Sequence, residues 1–200
     1  MVRTGRVLLV VLVISVLAVV ATGSPGATTQ SHRGGTLKLL AKAAGGTLDP
    51  QVNYTLEYWQ LYQATYDGLL AFTKAGGNAA FVVVPDLASG YKISNGGKTW
   101  TFTLRDGVKF SNGQPLTVND VVASFRRIFK VKSPTSGGFY SGIVGATKCL
   151  KTPATCTLAG GVSGNAAKST VTINLTAPDP EFKFKLAVPH ASILPASAPS

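Results

Sequence analysis

Residues 97–121 read GKTWTFTLRDGVKFSNGQPLTVNDV, and the way this stretch is punctuated decides the fold. Trp100, Phe102 and Leu104 alternate with threonines, the period-two pattern of a strand with one buried face. Just before it, Asn95-Gly96-Gly97 supplies residues that tolerate positive φ, so the strand returns from a hairpin whose first arm runs over residues 91–94. Asp106-Gly107 turns the chain, residues 108–110 extend it, and SNGQP turns it again. Thr117, followed three residues later by Asp120, has the form of a capping box. A helix is therefore predicted from this point to Lys130, with Val118, Val121, Val122, Phe125 and Phe129 facing inward. Arg105, Asp106 and Asp120 are assigned to a turn and a cap, with no reaction centre around them.

The chain before this region opens with two arginines in its first six residues, an apolar run over residues 7–21, and the small residues ATGSPGA. That is the layout of an export signal over residues 1–23, with cleavage expected after Ala21 or Ala27. An uncleaved anchor is the competing reading, although the run is shorter than the roughly 20 residues that span a bilayer as a helix. No cysteine follows the run, so a lipid-modified N-terminus is not expected. Residues 24–34 form a flexible leader, and the folded body is expected over residues 35–200.

With Arg3 and Arg6 set aside, 17 of the 19 basic residues remain against 8 acids, a formal charge of +9. The excess is spread along the chain, which suits attraction to anionic envelope polymers or lipid head groups. Nucleic-acid binding is not expected, because no zinc-finger spacing, RNA-binding aromatic motif or basic helix accompanies the charge. The two cysteines, Cys149 and Cys156, frame LKTPAT and in an oxidising compartment predict a small disulfide loop.

Elsewhere, residues 36–41 read as a strand, and AGGTLDP as a turn. In TLEYWQLYQATYDGLL, apolar and aromatic residues recur at three- and four-residue spacing. This predicts a helix ended by Gly68, with Leu56, Trp59, Tyr62 or Gln63, and Tyr66 along one face and the aromatic rings packed as core against a sheet. Residues 82–84 read as a strand stopped by Pro85, followed by a turn at residues 88–90. Residues 133–169 read mostly as loop. Residues 170–175, TVTINL, alternate as a strand, and Asp179-Pro180 is expected to cap a third, short helix carrying Phe182, Phe184, Leu186 and Ala187.

No motif in the sequence assembles a reaction centre. GGKT at residues 96–99 lacks the glycine spacing of a phosphate loop, Ser141 and Ser163 complete no nucleophile motif, and His190 is expected at the surface or half-buried in a loop. No metal cluster, cofactor or catalytic role is predicted, and Asp49, Asp67, Asp86, Asp106 and Asp120 all fall at turns or caps.

PDLASGYKISNGGKTWTFTLRDGVKFSNGQPLTVNDVVASFRRI, with GGTLKL, LDP, YDGLL and TVTINLTAPDPEFKFKLA around it, resembles the family 5 extracytoplasmic solute-binding proteins. These are the peptide-, dipeptide- and nickel-binding receptors of ABC importers. The resemblance implies an α/β (mixed α+β) fold, the first part of a two-lobed class II periplasmic-binding-protein-like architecture, present here as part of one lobe with a small extra subdomain. It implies a monomer that takes a peptide or other small solute and delivers it to ABC permease subunits in the membrane. It also implies solute contacts at Asn53, Tyr54, Thr55 and Leu56, and an aromatic contact at Phe139 or Tyr140. The acid that pairs with a peptide amino terminus is expected in the other lobe, past Ser200. A sensor or chaperone-like module on the same fold is the alternative, followed by a secreted hydrolase.

Overall fold

The computed structural model describes residues 35, 36, 38 and 46–200. The signal expected at residues 1–23, the leader, and most of the strand expected at residues 36–41 lie outside the described residues. The chain divides into two units, Met1–Leu40 and Ala41–Ser200, and the second carries every element named below.

Its centre is a four-stranded antiparallel sheet in the order β3-β4-β6-β5, with β3 at Ala88–Ser94, β4 at Thr99–Leu104, β5 at Val162–Asn165 and β6 at Thr170–Asn174. The alternation of β4 fixes the register. Trp100 opposes Ile173 and Phe102 opposes Val171, so the apolar side chains share the buried face. On the other face Thr101 meets Thr172, hydroxyl to hydroxyl at 3.5 Å, and Thr99 donates to Asn174 Oδ1 at 3.0 Å. The hairpin between β3 and β4 closes through Asn95, Gly96 and Gly97, all with positive φ, a region that glycine and asparagine enter at low cost. β3 and β5 are the two edges, and β3 carries Lys92 exposed on the polar face.

One helix covers the apolar face: α2, Val118–Lys130, where Val118, Val121, Val122, Phe125 and Phe129 are buried as the sequence predicts. Its N-terminus is held by the predicted cap. Asp120 Oδ2 accepts from the Thr117 backbone N–H at 2.8 Å and from the Thr117 hydroxyl at 2.6 Å, satisfying donors that the first turn leaves without helical partners. The helix lies so close to β5 that a Cβ on Gly164 would sit 2.9 Å from the Val118 side chain, so only glycine fits there.

The rest of the body is built on α1 (Leu56–Thr65), the two-stranded pair β1 (Leu70–Phe72) and β2 (Val83–Pro85), α3 (Ala146–Lys151) and α4 (Phe182–Lys185). Arg105 Nε donates to the Asp86 carbonyl at 2.6 Å, and Asp86 Oδ2 accepts from the Gly68 N–H at 3.2 Å. Both groups tie strand ends together, in keeping with their assignment to scaffold.

Several expectations are corrected. Residues 88–90 are not a turn but the start of β3, which a bulge between Ala88 and Gly90 keeps in register. Residues 133–169 contain α3 and β5, elements too short to show a period in sequence, so the described residues hold four α-helices where three were predicted. Asp179 does not cap α4 directly; its carboxylate holds the preceding turn at the Glu181 N–H (3.0 Å) and pairs with Lys185 at 2.6 Å. In α1 only Tyr62 is buried, and Leu56 stands 72% exposed, so the aromatic stripe is not a core face.

The predicted Cys149–Cys156 bond is present, joining α3 to the turn at Pro153–Thr155, which packs on α2. Closing so short a loop restricts the unfolded chain by about 2–3 kcal/mol. Replacing both cysteines with alanine is expected to lower the urea midpoint by that equivalent while leaving the denaturant slope and far-UV spectrum unchanged.

Candidate functional site

The site grows from the turn after LDP. Pro50 follows Asp49, whose carbonyl accepts from the N–H groups of Val52 and Asn53, both at 3.2 Å, while its Oδ1 accepts from Gln51 N–H at 2.9 Å. Side chains then fasten the turn from α1: Tyr62 donates to the Thr47 carbonyl at 2.8 Å and Tyr66 to the Leu48 carbonyl at 3.3 Å. Asn53 folds inward and donates to the Thr47 carbonyl at 3.0 Å. From the other side Gln51, fully buried, donates to the carbonyls of Ser124 in α2 (3.1 Å) and Ser192 (3.3 Å).

This anchored turn presents a chain segment that is anything but anchored at its surface. Tyr54 is 54% exposed, Thr55 has extended backbone as the residue before α1, and Leu56 projects outward. The Tyr54 ring rests on Trp59 at 5.3 Å and on His190 at 5.2 Å, with Trp59 and His190 5.7 Å apart, so three rings close a triangle under one exposed aromatic edge. Thr55 Oγ1 and Trp59 Nε1 are buried without a hydrogen-bond partner among the described residues.

His190 is fully buried, which corrects the expectation of a surface or half-buried loop residue. The short turn at Pro189–Ala191 packs onto α1 and drives the imidazole beneath Tyr54. Burial pushes its pKa down to about 4; the Asn53 backbone and the Asp49 charge oppose the shift without cancelling it. The imidazole is therefore neutral near pH 7.

Of the residues expected to meet solute, Tyr54 and Leu56 are exposed, Thr55 is half-buried, and Asn53 turns its side chain into the scaffold. Phe139 is half-buried against Tyr140. Tyr140 itself has no exposed surface: its hydroxyl donates to the Lys185 carbonyl at 2.8 Å, and burial raises its pKa. Tyr140 is corrected from a solute contact to a core residue. The two sets belong to different ring clusters, Tyr54–Trp59–His190 and Phe125–Tyr140–Phe139. A groove of about 710 Å³ lies between α1 and the β1–β2 pair, lined by Tyr62, Tyr66, Phe72, Phe81 and Asp86; Tyr54 and His190 are outside it. Among the described residues no group of three His, Cys, Asp or Glu side chains could hold a metal ion, and no helix is long and apolar enough to cross a membrane.

Residues 82–199 match the model of the bacterial extracellular solute-binding proteins, family 5 Middle. The chain belongs to this family. Family 5 relatives from Escherichia coli K12 include the nickel-binding periplasmic protein, 39% identical over 83 residues (42% of this chain, 15% of that protein). The probable D,D-dipeptide-binding periplasmic protein DdpA is 38% identical over 94 residues (46% and 18%). Among solved structures, the clavulanic acid biosynthesis oligopeptide binding protein 2 superposes with a TM-score of 0.68 at 29% identity, covering 80% of this chain and 30% of that one. The Escherichia coli murein tripeptide binding protein MppA gives 0.63 at 29% identity, covering 74% and 28%. The mixed α/β architecture is thus that of family 5, and the chain spans less than a third of each of these family 5 proteins.

An imidazole held neutral by burial sets a pH dependence. The unfolded chain takes up a proton near pH 6.5 and the folded chain only near pH 4, so stability is complete above pH 6.5 and falls as pH drops between those values. The loss approaches roughly 3 kcal/mol at pH 4. His190→Phe is expected to remove this component, seen as the difference between the two proteins in urea midpoints from pH 7 to pH 4.

Proposed function

We propose that this chain acts as the solute-binding component of an ABC importer on the outer side of the cytoplasmic membrane, capturing peptides or similar solutes and passing them to permease subunits. The observation that carries this reading is the pair of exposed side chains Tyr54 and Leu56, with half-buried Thr55 between them, raised on a turn held by its own hydrogen bonds. Thr55 is extended (φ −124°, ψ 143°) where the chain enters α1, and an extended peptide laid along Tyr54 and Thr55 would gain main-chain contacts that depend little on side-chain identity. The Tyr54 ring, backed by Trp59 and His190, adds a rigid apolar surface for a side chain of the solute.

In this reading Tyr54, Thr55 and Leu56 contact solute directly, Asn53 shapes the segment from within, and half-buried Phe139 supplies a further aromatic contact. The described body forms part of one lobe of a two-lobed monomer, with the four-stranded sheet and α2 as its extra subdomain. Residues 1–23 direct export, and the surplus of positive charge favours residence beside anionic envelope polymers. Relatives carry names of dipeptide-binding and murein tripeptide-binding proteins, which supports a short peptide as the solute.

The test exposes the intact protein to a panel of short peptides, sugars and metal chelates, identifies what co-purifies by mass spectrometry, and measures its affinity by calorimetry. A peptide is expected to be retained, and Tyr54→Ala is expected to weaken its binding about tenfold, the effect of removing a central aromatic contact. Retention of no panel member would sink the reading.

A further inference from the structure

Three polar residues, Asp120, Ser124 and Arg127, repeat along one side of α2, the helix otherwise committed to the core, and all three are buried. Each bonds to the segment at residues 194–199, which turns at Pro195–Ala198. Asp120 Oδ1 accepts from Ala196 N–H at 2.8 Å; the Ser124 hydroxyl accepts from Leu194 N–H (2.9 Å) and shares its one proton between the Asp120 carbonyl (2.7 Å) and the Leu194 carbonyl (3.1 Å); and Arg127 Nε donates to the Pro199 carbonyl at 2.6 Å.

Arg127 alone does more. Its Nη1 and Nη2 grip both carboxylate oxygens of Asp49, at 3.1 and 2.5 Å, and Nη1 also donates to Gln51 Oε1 at 2.9 Å. One planar guanidinium therefore ties α2 and residue 199 to the turn that carries Tyr54. The sequence suggests a diffuse surface charge; instead Arg127 is buried, with its charge compensated by Asp49. A lysine could keep the charge but not the fork, since an ammonium cannot present parallel donors in a fixed plane.

We propose that Arg127 is a positioning residue for solute capture: by clamping Asp49 and Gln51 it holds residues 53–56 raised over Trp59 and His190 in the form that receives solute. This rests on the solute-binding reading above. Asp49 is the hub of the turn, because its carbonyl and carboxylate together bond three backbone N–H groups. Freed from Arg127, the carboxylate turns to water, the turn loosens, and Tyr54 loses its seat. The β-sheet, held by its own ladder and the apolar face of α2, does not depend on this clamp.

Amide hydrogen exchange on the intact protein tests the clamp without any solute. In Arg127→Lys, exchange at Val52, Asn53 and Trp59, whose N–H groups bond within the segment, is expected to quicken about tenfold while β4 and β6 keep their protection. Asp49→Asn should do the same, and the double variant no more than either, since both remove one interaction. Asp49→Asn, which removes the partner charge and leaves Arg127 in place, also serves as the second variant should Arg127→Lys fail to fold. Unchanged exchange at these three amides, or equal quickening in β4 and β6, would overturn the proposal. In parallel, retention of an equimolar pool of short peptides should fall in the variants. If the parent protein retains none, the solute-binding reading fails, while the exchange pattern still decides whether Arg127 positions the segment.

Discussion

The ion pair between buried Arg127 and half-buried Asp49 sets the geometry on which the candidate site depends. Arg127 and Asp49 lie 78 residues apart in sequence, and their contact brings the turn after LDP against the flank of the main helix. Taking the Arg127 charge out of water is costly, and the cost is offset because its donors and the half-buried Asp49 carboxylate find partners: Gln51 Oε1, the Pro199 carbonyl and the Gln51 N–H complete the set. The pair thus contributes less through net attraction than through refusing other arrangements. Any register that separated the two would leave a charge stranded in the interior.

Around this pair the body divides its labour. The sheet and the apolar side of α2 supply burial, with Trp100, Phe102, Phe125, Phe129 and Ile173 enclosed between them. The polar flank of α2 supplies orientation, and α1 supplies the aromatic seat. Tyr54 and Leu56 stand exposed above this seat, and the segment that carries them takes its rigidity from the bonds beneath it and from the Trp59 and His190 rings.

What could be read from the amino acids follows from the range of the forces involved. The hairpin, the cap at Thr117 and the inward residues of α2 were legible because each is decided by neighbours within a few positions. The cysteine loop was legible for the same reason. α1 was misread because aromatic residues at helical spacing look the same whether they meet a core or form an open platform, and only the arrival of His190 tells the two apart. Tyr140 followed the same logic in reverse: nothing near it signals that the Lys185 carbonyl will receive its hydroxyl. Arg127 read as one more surface cation, since no local pattern distinguishes a basic residue with a distant carboxylate partner. The segment 133–169 hid α3 and β5, whose four to six residues are too few to show a period.

The composition of the sheet carries one more consequence. Strands β3 to β6 and the turns inside the two hairpins contain no acidic residue, while Lys92, Lys98 and Lys168 punctuate them. Both edges of the sheet have unsatisfied backbone groups that invite a strand from a second copy. Along the β3 edge, however, two such copies bring Lys92 against Lys92 with no carboxylate in the strand to neutralise the approach. The β3 edge therefore repels its own kind, while β5 lies close against α2. Salt, by screening that repulsion, is the condition that would weaken the safeguard.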